Sequence, residues 1–309
     1  MRKICLQCIY NLAKKDPRIV FIGSDLGVGI LDEFKAEMPE RFFMEGIAEQ
    51  HVIGMAAGLA KEGYIPYVNT IATFLTRRCY DQIAIDLCLQ NLPVRLIGNG
   101  AGLVYAPLGP THQAIEDISI MRALPNMTVI APSDAYQMEK LMSKTVELPG
   151  PAYIRLGKGY DEIVTDHIDD FEIGKAELMS SVGEVLIVAT GIMLQRAIAL
   201  KDQLLSQGVK AGVLNMHTIK PLDESSMAKY AKQAKLLITM EENTRIGGLG
   251  SAVIESLVDA HVRPMPQVLR FGLPDSFSEK YGSQDEQLDY LGFKPSVLAS
   301  NVLSTLQAM

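Results

Sequence analysis

Short apolar runs alternate with helical patterns along the whole chain, and this alternation constrains the fold more than any other feature. Runs rich in β-branched residues come between stretches with helical spacing: RIVFIG, YIPYVNTI, PVRLIGN, MTVIA and PAYIRL. The second half repeats the order with EVLIVAT, KAGVLNM, KLLITM and QVLRF. Such alternation is typical of a mostly parallel sheet with helices on both faces. We therefore expect an α/β fold with two sheets of this kind.

A polar, acidic stretch interrupts the alternation near the middle of the chain. Residues 158–182 read KGYDEIVTDHIDDFEIGKAELMSSV and lack long apolar runs. The 309 residues are enough for two domains, each with its own core. The sequence therefore predicts a first domain over residues 1–160, a linker over residues 161–182 and a second domain over residues 183–309.

Composition and charge argue against several classes of protein. Hydrophobic residues make up 48% of the chain and charged residues 21%, which is typical of globular proteins. The formal net charge is -7 and the basic residues are scattered, so we expect no nucleic-acid surface. No apolar run reaches the ~18 to 20 residues of a membrane span. The first residues read as an amphipathic helix rather than a signal peptide, so we expect a cytoplasmic protein that binds no membrane.

The cysteines predict no metal site. Cys5 and Cys8 form a CxxC pair, but the pair lies within an apparent helix, and no second pair or nearby histidine completes a zinc site. Cys79 and Cys88 also lie on apparent helix faces. We expect all of these side chains to pack in the interior and no metal to bind to this chain.

Polar residues collect where the predicted strands of the first domain end. In open parallel sheets, ligands bind beyond the carboxyl ends of the strands. The polar residues in these loops are Asp25, Asn69, Thr70, Thr73, Asn99, Thr111 and His112. We therefore expect a binding site at this edge of the first sheet.

The segment FFMEGIAEQHVIGMAAGLA predicts a helix over residues 42–62 that is made mostly of small and apolar residues. Glu45, Glu49 and His51 nevertheless lie at its start. In one interpretation Glu49 is buried, and a buried carboxyl group can share or relay a proton near neutral pH. In the other, Glu45 and Glu49 only favour the helix dipole and cap open N–H groups.

Four basic residues also have two interpretations. His112, in GPTHQAIED, is predicted to begin a helix, where it would either face a developing negative charge or simply cap the helix. Arg77 and Arg78 would either contact an anionic ligand or pair with Asp81. Lys158 lies between two glycines, as suits a cation that binds a phosphate or sulfonate group, and equally a linker lysine.

Taken together, the motifs resemble a known family. FFMEGIAEQHVIGMAAGLA, ATFLTRRCYDQI and GPTHQAIEDISIMRALPNMTVIAPSDA resemble, in order and spacing, the pyrimidine-binding domain of transketolase and 1-deoxyxylulose-5-phosphate synthase. KPLD, LITMEENTRIGGLGSAV and FGLPDSF resemble the C-terminal domain of the same family. The resemblance covers nearly the whole chain.

The resemblance implies a thiamine diphosphate enzyme in which Glu49 hydrogen-bonds the N1′ atom of the aminopyrimidine. A carboxyl group that shares a proton with this nitrogen favours the imino tautomer. The neighbouring exocyclic nitrogen can then remove the C2 proton of the thiazolium ring. The cofactor performs the carbon chemistry, and the protein tunes its tautomer.

The same resemblance implies roles for five further residues. Phe74 should stack on the pyrimidine ring, and Arg77 and Asp25 should line the cofactor pocket. His112 should contact oxygen atoms of the donor, and Lys158 should bind the substrate phosphate. Leu108 stands where the family usually carries an acidic residue that recognises a hydroxyl of the donor sugar. We therefore expect Leu108 to line a substrate site with unusual recognition.

The family's diphosphate-binding motif does not occur in this sequence. Family members bind the diphosphate and Mg²⁺ with a GDG motif that an asparagine follows, and no GDG occurs here. The chain resembles only the second half of a full-length transketolase. The resemblance therefore implies an N-terminal partner subunit that carries GDG…N and supplies most of the Mg²⁺ site. The expected assembly is an α2β2 heterotetramer.

These observations predict the C-terminal subunit of a split transketolase, which transfers a two-carbon ketol unit between anionic, phosphorylated sugars. One alternative is a synthase-like condensation of pyruvate with an aldehyde, which EGIAEQH and Arg77 favour. Another is a non-catalytic subunit that kept the fold. The sequence leaves the donor and acceptor sugars open.

Overall fold

Two mostly parallel sheets with helices on both faces form the fold, which confirms the predicted α/β class. The computed structural model describes residues 1–24, 29, 31–157, 161–168 and 170–309. The strands of this part are, in chain order, β1 (Ile19–Gly23), β2 (Phe42–Met44), β3 (Ile65–Ile71), β4 (Arg95–Asn99), β5 (Thr128–Ile130), β6 (Ala152–Arg155), β7 (Glu177–Ser180), β8 (Val185–Ala189), β9 (Ala211–Asn215), β10 (Thr218–Lys220), β11 (Leu236–Thr244) and β12 (Gln267–Leu273). The α-helices are α1 (Arg2–Lys15), α2 (Asp32–Glu37), α3 (Glu49–Lys61), α4 (Tyr80–Gln82), α5 (Asp117–Ala123), α6 (Ala135–Thr145), α7 (Met193–Ser206), α8 (Glu224–Ala231), α9 (Leu249–Asp259), α10 (Gln284–Tyr290) and α11 (Pro295–Gln307).

The first sheet has the strand order β10-β5-β6-β4-β3-β1-β2. Strands β1 to β6 pair in parallel, so their carboxyl ends meet at one edge of the sheet. Strand β10 comes from the second half of the chain and pairs antiparallel with β5. There the Ala131 amide donates to the His217 carbonyl at 2.7 Å. The first sheet is therefore completed by a segment of the second half.

The second sheet has the order β12-β11-β8-β9-β7. Strand β7 lies in the stretch predicted as a linker, and it pairs antiparallel with β9 at the sheet edge. Only Glu177 is buried in this strand, since an edge strand needs little apolar surface. A polar stretch therefore contains a strand that the sequence analysis missed. The domain boundaries at residues 160 and 182 stay predictions.

The helix predicted over residues 42–62 is wrong in its first seven residues. Phe42–Met44 form the edge strand β2, and the Phe42 ring stacks on the Phe21 ring of β1 with centroids 5.1 Å apart. Gly46 has a φ of +65°, a left-handed conformation that ends the extended segment. The helix α3 begins only at Glu49. Glu45 therefore lies in the loop before α3, where its carboxylate is 3.8 Å from the His51 ring.

The helix predicted from His112 onward also begins later, since α5 starts at Asp117. Between the two, Ala114 exchanges backbone hydrogen bonds of 2.9 and 3.0 Å with Gly102, and this bridge holds the chain extended. His112 is therefore not at a helix start, and the argument from a helix N-terminus does not apply to it. The segment that begins at Phe74 contains two π-helical turns, Phe74–Arg78 and Ile83–Cys88, on either side of α4.

The core continues from one sheet to the other. Helices α1 and α6 pack on one face of the first sheet, and α3 and α5 pack on its other face. This second face shares its apolar cluster with α8, α9 and one face of the second sheet. The remaining face of the second sheet packs against α7 and α11. Across the described residues, none of the helices has the length and apolar character needed to cross a lipid bilayer.

A buried polar network also joins the two halves. Arg155, at the end of β6, donates from Nε to Oδ2 of Asp117 at 2.8 Å and from Nη2 to the backbone oxygen of Glu242 at 2.8 Å. Tyr153 donates to the same Asp117 oxygen at 2.7 Å. The Glu242 carboxylate in turn accepts from the Leu103 amide at 3.0 Å. The network fixes β11 of the second half against the carboxyl end of β6.

Candidate active site

Glu49 is a buried carboxylate at the first residue of α3, with 2% of its surface exposed. The loop after β2 delivers it to the edge where the parallel strands of the first sheet end. Its Oε2 accepts a hydrogen bond from Nη1 of Arg78 at 2.5 Å. Its burial agrees with the interpretation of Glu49 as a buried carboxyl group that can share a proton. Its position at the helix start agrees with the interpretation as a residue that favours the helix dipole. A helix-start role alone does not explain the arginine partner.

Arg78 contacts Glu49 at this site, a partner that the sequence analysis did not predict for it. It ends the π-helical turn Phe74–Arg78, and its guanidinium carbon lies 4.7 Å from the centroid of the Phe74 ring. Its backbone oxygen accepts from Nε2 of Gln50 at 3.1 Å. π-Helical turns occur frequently at functional sites. The adjacent arginines in TFLTRR were visible in the sequence, but only the π-helical geometry distinguishes their partners.

Arg77 has a different partner from Arg78. Its Nη2 donates to Oε2 of Glu116 at 2.7 Å, and its Nε also contacts the Glu116 carboxylate. The sequence had offered Asp81 as the alternative partner. Glu116 directly precedes α5, so this ion pair links the π-helical turn to the loop of His112. A role of Arg77 in cofactor binding stays a prediction.

Phe74 and His112 come from distant motifs and meet at this site. Their ring centroids are 5.1 Å apart, and the planes make an angle of 69°, an edge-to-face contact. The imidazole Nδ1 is 2.9 Å from the hydroxyl of Thr111. The His112 amide donates to the Gly109 carbonyl at 3.0 Å, so a tight turn presents the ring.

Leu108 lies at the end of a short 3₁₀ turn in the same loop, and 55% of its surface is exposed. The next residue, Gly109, has a φ of +82° and packs under the ring of Tyr281. A Cβ atom at Gly109 would lie 2.9 Å from a ring carbon of Tyr281. The positive φ and the close ring favour glycine at this position. Through Tyr281, the second half of the chain contributes an aromatic side chain next to the loop of Leu108.

Buried polar side chains lie at the carboxyl ends of β1, β3 and β4. The hydroxyls of Ser24 and Thr70 are 2.8 Å apart, and Asn99 donates to Oδ1 of Asn69 at 2.5 Å. In the part of the chain that the structure describes, the buried hydroxyl of Thr73 has no hydrogen-bond partner. A buried polar group of this kind calls for an explanation, and a ligand beside Phe74 would supply one.

The remaining predicted site residues lie outside the described residues: Asp25 and Lys158. Among the described residues, no group of three or more histidine, cysteine, aspartate or glutamate side chains is placed to hold a metal ion. The residues that the structure does bring together are Glu49, Phe74 and His112, with Arg78 in contact with two of them. A buried carboxylate, an aromatic ring and an imidazole can together hold a flat heterocycle and hydrogen-bond an oxygen-rich substrate.

Comparisons with known proteins identify the two halves of the chain. The family model described as "Transketolase, pyrimidine binding domain" matches residues 1–160, and "Transketolase, C-terminal domain" matches residues 174–298. Several 1-deoxy-D-xylulose-5-phosphate synthases are 35 to 38% identical, and the chain spans 46 to 47% of their length. The chain therefore spans about half the length of these curated relatives.

Other relatives are closer to this chain in length. The transketolase family protein y4mN of Sinorhizobium fredii is 41% identical, over 87% of this chain and 78% of that protein. The 6-deoxy-6-sulfo-D-fructose transketolase subunit SqwH of a Clostridium strain is 36% identical, over 91% of this chain and 90% of that protein. A split gene transketolase, solved as an inactive beta4 tetramer, superimposes with a TM-score of 0.90 at 35% identity, over 99% of this chain and 98% of that chain. The chain belongs to the transketolase family, of which it contains the pyrimidine-binding and C-terminal domains.

Proposed function

We propose that this chain is the C-terminal subunit of a thiamine diphosphate-dependent transketolase. It would transfer a two-carbon ketol unit between anionic sugars, together with a partner subunit that binds the diphosphate and Mg²⁺. The observation that carries the proposal is the buried carboxylate of Glu49, which Arg78 links to the half-buried ring of Phe74, at the edge where the parallel strands end.

The residues at this site fit the pyrimidine half of the cofactor. Glu49 offers a carboxyl group shielded from water, which can hold a proton against a ring nitrogen with little competition from solvent. Phe74 offers an aromatic face for a flat ring, and the buried Thr73 hydroxyl offers a polar contact next to it. When bound, thiamine diphosphate supplies a carbon nucleophile for ketone carbonyls.

His112 is proposed to bind the donor substrate. Where the Thr111 hydroxyl donates to Nδ1, the proton of the imidazole is on Nε2, which can then donate to a substrate oxygen. The edge contact with Phe74 holds the ring in place. Asp25 and Arg77 are proposed to line the cofactor pocket, Lys158 to bind the anionic end of the sugar, and Leu108 to border the donor.

The partner subunit is proposed because of the relatives that match this chain over most of their own length. The relative named as a transketolase subunit and the split gene transketolase match it over 90% and 98% of their lengths. No GDG motif occurs in the sequence, so the groups that hold the diphosphate would come from elsewhere. An α2β2 assembly would then place the partner's half of the site opposite Glu49.

Reconstitution tests the proposal. The chain and a candidate partner that carries GDG…N are purified separately and mixed with thiamine diphosphate and Mg²⁺, and ketol transfer from xylulose 5-phosphate is measured. The proposal predicts activity only in the mixture. Turnover by the isolated chain would contradict the need for a partner, and an inactive mixture that forms a stable complex would favour a non-catalytic subunit.

A synthase-like condensation of pyruvate with an aldehyde is the second candidate. The relatives that favour it are the 1-deoxy-D-xylulose-5-phosphate synthases, which match this chain from end to end at 35 to 38% identity. The same mixture would be supplied with pyruvate and an aldehyde acceptor. Release of CO₂ from pyruvate would favour the synthase reaction over ketol transfer.

A further inference from the structure

Arg78 makes two contacts at once, both with residues assigned to the pyrimidine of the cofactor. Its Nη1 donates to Oε2 of Glu49 at 2.5 Å. The same guanidinium group lies over the ring of Phe74, with 4.7 Å between its central carbon and the ring centroid. A flat, cationic group thus bonds to the carboxylate and stacks on the aromatic ring.

The contact with Glu49 conflicts with donation to a pyrimidine nitrogen. A ring nitrogen of a neutral aminopyrimidine is an acceptor, so the carboxyl group must supply the proton. A guanidinium at hydrogen-bond distance favours the ionised carboxylate, which can only accept. Glu49 therefore cannot accept from Arg78 as a carboxylate and at the same time donate a proton to a ring nitrogen. One of the two contacts must change.

The contact with Phe74 adds a second conflict. A guanidinium over an aromatic ring is held by cation–π attraction, and it covers the face on which another flat group would stack. Arg78 therefore competes both for the Glu49 oxygen and for the Phe74 ring face. Because 41% of its side chain is exposed, it can move into solvent at low cost, while Gln50 keeps hold of its backbone oxygen.

We propose that Arg78 occupies the place of the aminopyrimidine in the cofactor site and must be displaced when thiamine diphosphate binds. Arg78 is then a positioning residue that lowers cofactor affinity and holds the Glu49 carboxyl group in one orientation until the cofactor arrives. This inference rests on the proposed function.

Of the charged and titratable groups near Glu49, Arg78 is the one that holds its carboxyl group. Among the described residues, Arg78 is its ion-pair partner. Glu45 and His51 pair with each other at 3.8 Å, and Arg77 pairs with Glu116. The pKa of the Cys79 thiol is raised to about 12. Burial is the larger cause, and the nearby charge of Glu49 is the smaller one.

A first experiment tests the ion pair on the chain alone. Side-chain NMR signals of the Arg78 guanidinium, assigned by their loss in Arg78→Gln, are compared between the wild type and Glu49→Gln. We expect slow rotation and low solvent exchange in the wild type, and free rotation in Glu49→Gln. A guanidinium that rotates freely in the wild type would overturn this inference and leave the proposed function unaffected.

A second experiment measures the dissociation constant of thiamine diphosphate by calorimetry, with Mg²⁺, in the complex with the partner subunit. Arg78→Gln is expected to bind on the order of tenfold more tightly than the wild type, since one charge-assisted contact no longer competes. Arg78→Lys keeps the charge but not the flat stack, so its affinity should lie between the two. In Glu49→Gln the further change Arg78→Gln should have little effect, within about threefold.

A purely structural role for Arg78 predicts the opposite sign, because loss of the side chain would then weaken binding. The matched control is Arg122→Gln, which removes an arginine of α5 that pairs with Glu255 of α9. It should leave the affinity as in the wild type. Equal or weaker binding by Arg78→Gln, with normal binding by the wild type, would overturn this inference alone. If no variant and no wild-type complex bound thiamine diphosphate, the proposed function and this inference would both fall.

Discussion

The ring of Phe74 meets the ring of His112 edge-on, with 5.1 Å between the centroids. The contact joins the TFLTRR motif to the GPTHQ motif, 38 positions further along the chain. Phe74→Ala should therefore affect two ligands, the cofactor that stacks on the ring and the donor that His112 contacts. We expect thiamine diphosphate to bind roughly tenfold more weakly and the KM of the donor to rise.

The matched variant for this prediction is Phe74→Tyr, which keeps the aromatic ring and its edge contact. Calorimetry of cofactor binding and steady-state kinetics should return values close to the wild type. If Phe74→Ala bound the cofactor as well as Phe74→Tyr did, Phe74 would not be a wall of the pocket.

Arg155→Met should destabilise the fold strongly. The change leaves Asp117 and Glu242 buried without their cation, and breaking a buried ion pair from one side costs roughly 3–5 kcal/mol. Urea unfolding of the chain measures the change in free energy. Arg18→Met is the control, because Arg18 pairs with Asp16 at the surface, where such pairs contribute at most about 1 kcal/mol. Equal effects of the two changes would show that the Arg155 network does not hold the halves together.

Glu177 should make stability depend on pH between about 4.5 and 7. Burial raises the pKa of Glu177 to about 7 from 4.5, so the folded chain holds this proton more tightly than the unfolded chain. Its contribution to stability is therefore fully present below pH 4.5 and is lost as the pH rises through about 7. The difference in unfolding free energy between the wild type and Glu177→Gln should fall by up to about 3 kcal/mol over this range.

His217 lies 3.8 Å from Glu177 and acts in the opposite sense. Burial lowers the pKa of His217 to about 4, so its contribution is present above pH 6.5 and is lost as the pH falls towards 4. The unfolding free energy of the wild type alone should thus change little with pH. The comparison with Glu177→Gln isolates the contribution of the Glu177 carboxyl group. The exposed Glu147→Gln is the control. A difference that stayed constant from pH 4.5 to 7 would refute a proton held on Glu177.

The sequence predicted the features that depend on long periodic segments. The βα alternation predicted two parallel sheets, because fully buried strands must be continuous apolar runs such as VFIG and VLIVA. It also predicted the strand-end loops that lead to Phe74 and His112. These loops follow strands, and the carboxyl ends of parallel strands meet at one edge whatever the details of the helices.

The features that the sequence did not predict depend on contacts between distant segments. Phe42–Met44 looked helical in isolation, yet pairing with β1 holds these residues extended. The bridge between Gly102 and Ala114 likewise delays the start of α5. Which of two adjacent arginines reaches Glu49 depends on a π-helical turn, which composition does not encode. Local pattern cannot decide these cases because tertiary contacts override propensity.

The turnover of Glu49→Gln tests the central claim most directly. The variant is assembled with the diphosphate-binding subunit and saturated with thiamine diphosphate, and ketol transfer is compared with the wild type and with Glu62→Gln, an exposed glutamate at the other end of α3. If Glu49 holds the proton of the pyrimidine, kcat should fall on the order of 10²- to 10⁴-fold in Glu49→Gln and stay at the wild-type value in Glu62→Gln. Unchanged turnover in a Glu49→Gln complex with bound cofactor would contradict the account.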